Sequence, residues 1–302
     1  MDNKRILVLM STYNGEKYLE AQIDSVLSQK DVNVDLLVRD DGSSDKTCEI
    51  LQKYSAEGKL KWFQGKNVKP AKSFMDLVFT CSGYEYYAFC DQDDVWFDDK
   101  LQIAVNQLEQ FPPDKPALYY GCTTLVDEYL HPIASTKENI SFTRFCEAVI
   151  SSNAPGCTMC FNEALRKTIL IYRPEYQIMH DGWIHKVCLA VGGNLYYDSQ
   201  PHMMYRQHGS NVVGGIITNK KRWQRRINTM KQDKCPRSRG IRELYNGYSS
   251  YMSEENNEIC KKIIHYKSRI DNRIRLVFDR SISSPSPRID LLYRLTVLLG
   301  IF

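Results

Sequence analysis

The residues of this chain best suited to chemistry are three aspartates, Asp91, Asp93 and Asp94, directly after an apolar run at 86–90. Carboxylates crowded this closely repel one another and are costly to ionise together without a counter-charge. A hard divalent cation supplies one, because Mg²⁺ or Mn²⁺ characteristically bridges a few carboxylates to a substrate phosphate. The simpler use of such a loop is to cap the next helix, but Asp98 and Asp99 stand better placed for that. A second acidic loop, Asp40-Asp41-Gly42-Ser43-Ser44-Asp45, reads differently. Gly42 permits a tight turn, and Asp and Ser side chains bond backbone or ligand donors. Helix capping accounts for Ser44 and Asp45. Asp41 is left as the ligand candidate, able to accept hydrogen bonds from a base N–H or a ribose hydroxyl.

These residues need a frame. Residues 6–10 form a continuous apolar run, as expected for a strand buried on both faces. Residues 34–38, 60–63 and 86–90 are further strand candidates, with helical spacing between them at Leu19, Ile23, Val26 and Leu27, at Ile50, Leu51 and Tyr54, and at Phe74, Leu77 and Val78. Leu101, Ala104, Val105 and Leu108 follow on one helix face. Strand–helix alternation predicts an α/β domain with a mainly parallel central sheet flanked by helices. Ligands of such sheets gather at the carboxyl ends of the strands. The loops there read Ser11-Thr12-Tyr13-Asn14-Gly15, Asp40 to Asp45, and Asp91-Gln92-Asp93-Asp94. Residues 66–73 lack the glycines of a phosphate-binding loop, and no GxGxxG occurs. A nucleotide would therefore be held by carboxylates, a metal and aromatic stacking.

With 302 residues of ordinary globular composition, the chain can bury a sizeable core. The run at 6–10 is too short for a signal peptide, and no stretch reaches the ~20 apolar residues needed to cross a bilayer. The ten cysteines form no regular framework, and Cys157 and Cys160 make a lone CxxC. Reduced structural thiols in the cytosol are the expectation. Residues 219–242 contain ten Lys or Arg and one acid, Asp233, in a chain whose net charge is only +4. This change in character divides the chain into a catalytic domain at 1–215 and a basic, mainly helical extension at 216–302.

Taken together and in order, the three strand-end loops resemble those of the family 2 inverting glycosyltransferases with the GT-A fold. The resemblance spans about residues 4–210. It implies that Thr12, Tyr13, Asn14 and Asp41 hold the base and ribose of a nucleotide-diphosphate sugar. Asp93 would ligate Mn²⁺ or Mg²⁺ on the donor diphosphate, while Asp91, with Gln92 beside it, would approach the ribose or a metal-bound water. The family's later acidic motif aligns with His180-Asp181-Gly182-Trp183, with His180 where many members have an acid. Asp181 takes the general-base assignment, and His180 is the alternative. Trp183 would stack on a sugar face, a buried core tryptophan being its other reading. Within Tyr205-Arg206-Gln207-His208-Gly209-Ser210-Asn211, His208 would meet the metal or diphosphate. The stretch Asn153-Ala154-Pro155-Gly156-Cys157-Thr158-Met159 would run beneath the acceptor, with Gly156 and Cys157 against it. The wording Asp91-Gln92-Asp93-Asp94-Val95-Trp96 is similar to that of bacterial rhamnosyltransferases of cell-surface polysaccharide synthesis, which implies dTDP-rhamnose as donor, with UDP-glucose, UDP-galactose and UDP-N-acetyl sugars as the alternatives, and a glycan or lipid-linked glycan as acceptor.

Two other classes compete. A sugar-phosphate nucleotidyltransferase needs a glycine-rich, basic N-terminal loop that Ser11 to Gly15 does not provide. A non-catalytic nucleotide-sugar or carbohydrate binding protein would not require Asp91, Asp93 and Asp181 together. The C-terminal extension suggests a membrane partner: its basic segments precede an apolar tail containing Leu291, Leu292, Leu295, Val297, Leu298, Leu299, Ile301 and Phe302. Charge plus an apolar helix face predicts peripheral contact with the anionic inner face of the cytoplasmic membrane, the alternative being a basic helix packed on the catalytic domain with the tail completing a core. Nucleic acid is not expected, because aromatic stacking partners are sparse there.

Overall fold

The computed structural model describes residues 4–134, 141–152, 154–209 and 235–302. Asn153, residues 210–215, most of the basic segment and the expected 215/216 boundary lie outside them. The described chain begins β1 (Arg5–Thr12), α1 (Leu19–Leu27), β2 (Asn33–Asp40), α2 (Thr47–Ala56), β3 (Lys61–Gln64), α3 (Lys69–Thr80) and β4 (Tyr86–Asp91). It continues β5 (Val95–Trp96), α4 (Lys100–Leu108), β6 (Ala117–Val126), β7 (Pro132–Ala134), α5 (Phe145–Ala148), β8 (Cys160–Asn162), α6 (Glu163–Leu170), α7 (His180–Ala190) and β9 (Asn194–Arg206). The extension supplies α8 (Pro236–Tyr248), α9 (Glu254–His265), α10 (Ile270–Phe278) and α11 (Pro287–Leu298).

All nine strands join one sheet, ordered β3-β2-β1-β4-β8-β6-β9-β5, with β7 on β6. The expected parallel pairing holds from β3 through β4. Beyond β4 the sheet is mixed: β8 runs antiparallel to both β4 and β6, while β9 is parallel to β6. Strands β1 and β4 read as unbroken apolar runs because helices cover both sheet faces, giving two core layers. One layer holds Ile6, Val8 and Met10 under α1 and α4, and the other holds Leu7 and Leu9 under α3 and α7. Alternate side chains of a strand point to opposite faces, which accounts for the division.

The extension does not stand apart from this core. Ile241, Leu244, Tyr248, Ile259, Ile263 and Tyr293 belong to the same apolar cluster as Trp183, Ile184 and Val187 of α7. The apolar C-terminus is likewise partly internal, with Val297 and Phe302 fully buried. All ten cysteines are outside disulfides, and both Cys157 and Cys160 are buried.

Candidate active site

Parallel pairing sets the strand ends level. Thr12 lies opposite Asp40, and Ser11 opposite Asp91. The chain leaves β1 toward β2 on one side and returns to β4 on the other, so the crevice above β1 and β4 is a topological switch point.

The first two loops are cross-linked by their own polar groups. Thr12 Oγ1 donates to Asp40 Oδ1 at 3.1 Å, and the Thr12 carbonyl accepts the Asp41 N–H at 2.7 Å. Asp40 also receives the Gly42 and Ser43 N–H groups, the Ser43 hydroxyl and Gln64. Burial alone would raise its pKa, but the bonds from Ser43, Gln64 and Thr12 outweigh that and hold it below the usual carboxylate value. Asp41 is buried as well. It accepts Arg39 Nη1 at 2.5 Å and the N–H groups of Val68 and Lys69 at 2.9 and 3.0 Å. Those two amides open α3, which has no side-chain cap of its own. The sequence marks Asp41 as a nucleotide ligand; in this geometry its carboxylate is engaged by Arg39 and a helix start.

Asn14, at φ +48°, accepts the Ser44 N–H on its side-chain oxygen, and its own N–H donates to Ser43 Oγ. Gln92 clamps the β4 loop to the β1 loop: Oε1 accepts the Tyr13 N–H at 2.7 Å and Nε2 donates to the Tyr13 carbonyl at 3.1 Å. The same clamp explains Gly15, where a Cβ would sit 2.5 Å from Gln92 Oε1. Tyr13 is left 48% exposed, open to stacking.

The third loop concentrates charge. Ligand atoms of Asp91, Asp94 and Cys157 all lie within 4.8 Å of one another. Burial, followed by the like charges of Asp93 and Asp181, pushes Asp91 up to about 7. Asp94 is fully buried; Oδ1 accepts the Arg206 N–H, and Oδ2 has no hydrogen-bond partner among the described residues. Burial and its acidic neighbours push it well above the ordinary value. The compensating charge comes from Lys100, a buried ammonium 3.4 Å above the Trp96 ring, whose own pKa burial lowers to about 8. A cluster of repelling carboxylates, one with an orphaned buried oxygen, fits a hard cation. Asp93 pairs instead with His208, Oδ2 to Nε2 at 2.7 Å. Arg206 Nε donates to the Asp93 carbonyl, and both Arg206 and His208 lie against the Tyr18 ring. Strand β9 brings this pair in by running beside β5, a contact invisible in local spacing.

The fourth part is the start of α7. Asp181 sits in its first turn and takes the Gly182 N–H. The Gly156-Cys157 step links it to the acidic loop, since Gly156 lies against Asp181 and the Cys157 sulfur lies within 4.8 Å of ligand atoms of Asp91 and Asp94. Gly156 opens the 3-10 turn Gly156–Thr158, and a Cβ there would be 2.7 Å from His180 Nε2 and 3.3 Å from the Asp181 Cβ. His180 is sandwiched by Phe74, stacked at 4.0 Å, and Phe89, edge-on at 4.8 Å. Neither ring nitrogen has a hydrogen-bond partner among the described residues, and burial drives the imidazole down to about 4. Two acceptor-side expectations need correction. Trp183 is 4% exposed and packs against Tyr172 and Tyr248, so it shows no face to a sugar. Cys157 is buried beside Asp91 and Asp94 rather than on a shelf.

The sequence reading missed Lys100, Arg39 and Tyr18. A lysine next to two aspartates signals a surface ion pair, and nothing local marks it as buried. Lys186 is similar: burial lowers it to about 8, and it bonds the Gly182 carbonyl one turn below Asp181.

A mixed sheet with carboxylates gathered at its switch point is the arrangement of a nucleotide-sugar transferase fold. The chain belongs to glycosyl transferase family 2, whose family model matches residues 7–169, and is a glycosyltransferase. It is similar to the dTDP-rhamnosyl transferase RfbG of Shigella flexneri, 29% identical over 242 residues, covering 72% of this chain and 77% of that one. A shorter match, 32% over 108 residues, covers 36% of this chain and 42% of the Escherichia coli protein WfgD, a UDP-Glc:alpha-D-GlcNAc-diphosphoundecaprenol beta-1,3-glucosyltransferase. Among solved structures, S. aureus TarS 1-349 in complex with UDP-GlcNAc superposes with a TM-score of 0.57 at 17% identity, over 98% of this chain and 90% of that one. At that identity the likeness carries the fold alone.

Proposed function

We propose that this enzyme moves a sugar from a nucleotide-diphosphate donor, dTDP-rhamnose, to a hydroxyl of a glycan or lipid-linked glycan in cell-surface polysaccharide synthesis, with inversion at the anomeric carbon. The observation that carries the reading is the gathering of acids at one crevice: Asp91 and Asp94 lie with Cys157 within 4.8 Å at the end of β4, and the adjoining Gly156 lies against Asp181 at the start of α7. The similarity to the RfbG rhamnosyl transferase supports the choice of donor.

Tyr13, exposed at the mouth of the crevice, stacks on the nucleotide base. The Asp40, Asp41 and Gln92 cross-links hold the two loops around it in fixed register. Asp93 and His208, with Asp91 and Asp94 beside them, would hold Mn²⁺ or Mg²⁺, which when bound neutralises charge on the departing diphosphate. Asp181 accepts the proton of the acceptor hydroxyl as general base. His180 is unsuited to that task, since its ring is enclosed by Phe74 and Phe89. Lys100 holds a positive charge beneath the acidic loop and limits the repulsion among its carboxylates.

The deciding experiment is a donor panel with the full chain, following release of nucleoside diphosphate and the anomeric configuration of the product by NMR. Turnover of dTDP-rhamnose with an inverted product is expected. Turnover of UDP-sugars alone would move the donor assignment, and a retained configuration would remove the single-displacement mechanism.

A further inference from the structure

Helices α10 and α11 lie side by side at the end of the chain. The guanidinium of Arg294 ties them, donating to the Val277 carbonyl and to Asp290. Each helix commits one face to the core, α10 through Leu276 and α11 through Tyr293 and Val297. The face of α10 away from the core carries Ile270, Ile274 and Phe278 at successive i, i+4 positions. The outer face of α11 carries Leu291, Leu295 and Leu298, with Leu299 just beyond. Their exposures run from 46% at Leu295 to 76% at Phe278. Side chains four apart stand above one another on a helix, so each set is a continuous apolar stripe. Concentrated exposure of this kind marks an interaction surface.

Charge indicates what covers it. Between residues 266 and 302 there are three acids, Asp271, Asp279 and Asp290. Each is already paired, with Arg269, Lys262 and Arg294 respectively. Arg275, Arg280 and Arg288 are exposed on the same two helices and the turn between them, and pair with no carboxylate among the described residues. Apolar stripes flanked by uncompensated arginines match an anionic bilayer interface: the stripes enter the boundary between headgroups and acyl chains, and the guanidiniums meet phosphates. A second copy would set arginine against arginine. No helix among the described residues is long and apolar enough to cross a membrane, so the contact is with the surface.

We propose that the outer faces of α10 and α11 dock the enzyme on an anionic phospholipid surface, independently of the catalytic reading. The test is cosedimentation of the full chain with vesicles of phosphatidylcholine alone or with one-third phosphatidylglycerol. The wild type should pellet with the anionic vesicles. A Phe278→Ser, Leu295→Ser, Leu299→Ser variant should bind them at least about tenfold more weakly, because two or more buried side chains are lost. An Arg275→Gln, Arg280→Gln, Arg288→Gln variant should lose the preference for phosphatidylglycerol. Circular dichroism melts and sedimentation velocity without vesicles accompany each variant. Undiminished binding by the serine variant overturns the proposal, as does equal wild-type binding to both vesicle types. A wild-type dimer that the serine variant dissociates would assign the stripes to a second copy instead.

Discussion

Replacing Gly156 with Ala tests whether the turn at Gly156–Thr158 sets the position of the proposed base, Asp181. The new Cβ would lie 2.7 Å from His180 Nε2, about 0.7 Å inside ordinary contact, and 3.3 Å from the Asp181 Cβ. His180 is hemmed in, because its buried ring stacks on Phe74 and packs perpendicular to Phe89. The start of α7 must shift instead, and Asp181 shifts with it. Misplacing a reacting group by ~1 Å costs ~10²-fold, so a displacement somewhat smaller than this should lower kcat by about 10- to 100-fold. Crowding of this kind also costs about 1–3 kcal/mol of stability. Binding of the nucleotide diphosphate, proposed to use the β1 and β2 loops, should be unchanged by calorimetry. His180→Ser in the Gly156→Ala chain removes the clashing atom, so the double variant should exceed the product of the two single effects in kcat. A folded Gly156→Ala enzyme with wild-type kcat, or one whose whole defect lies in donor KM, would refute the reasoning.

Asp181→Asn keeps the shape and removes the proton acceptor; kcat should fall by about 10²-fold or more while donor affinity survives, and a greater loss in His180→Ala than in Asp181→Asn would transfer the base to His180. Asp93→Ala, or excess chelator, should abolish transfer with the circular dichroism melt intact; full activity under either condition would end the metal reading. Acid should weaken the fold through two buried histidines, since burial lowers His180 to about 4 and His185 to about 3. Their folded values are depressed, so their contribution is complete above pH 6.5 and is lost as pH falls toward those values, about 2 kcal/mol each by pH 5. Asp91 and Asp94 act in the opposite sense, because their raised values make ionisation costly; for Asp91 that cost is relieved progressively as pH falls from 7 toward the ordinary 3.8. In an Asp91→Asn, Asp94→Asn background, which removes both raised carboxylates, denaturant titrations should therefore show stability dropping from pH 7 to 5, with a shallower drop on adding His180→Gln; identical slopes would contradict a neutral buried His180.

The strand-end loops were legible from sequence because everything that marks them is local. An apolar run leading into a polar loop is a buried strand leaving the sheet, and three such places in order, two of them rich in aspartate, imply the α/β fold and the crevice above it. The Asp91 and Asp93 candidates share that legibility, as ionisable groups at an element's end, whereas Asp181 was reached only through the family resemblance. Only the tertiary structure decided what each side chain meets. Asp41 caps α3 across 28 positions of sequence, and Gln92 grips Tyr13 across 79. Lys100 looks like a surface residue among acids and is buried beneath them. Trp183 looks like a sugar platform and is core, because the extension lays Tyr248 against it. The amphipathic pattern of the last helix left open which apolar residues face inward; packing turned Tyr293 and Val297 to the core and left Leu295 and Leu299 outside. Spacing along a chain reports the face a residue shares with its neighbours, whereas burial and charge pairing depend on distant segments that arrive only when the chain folds.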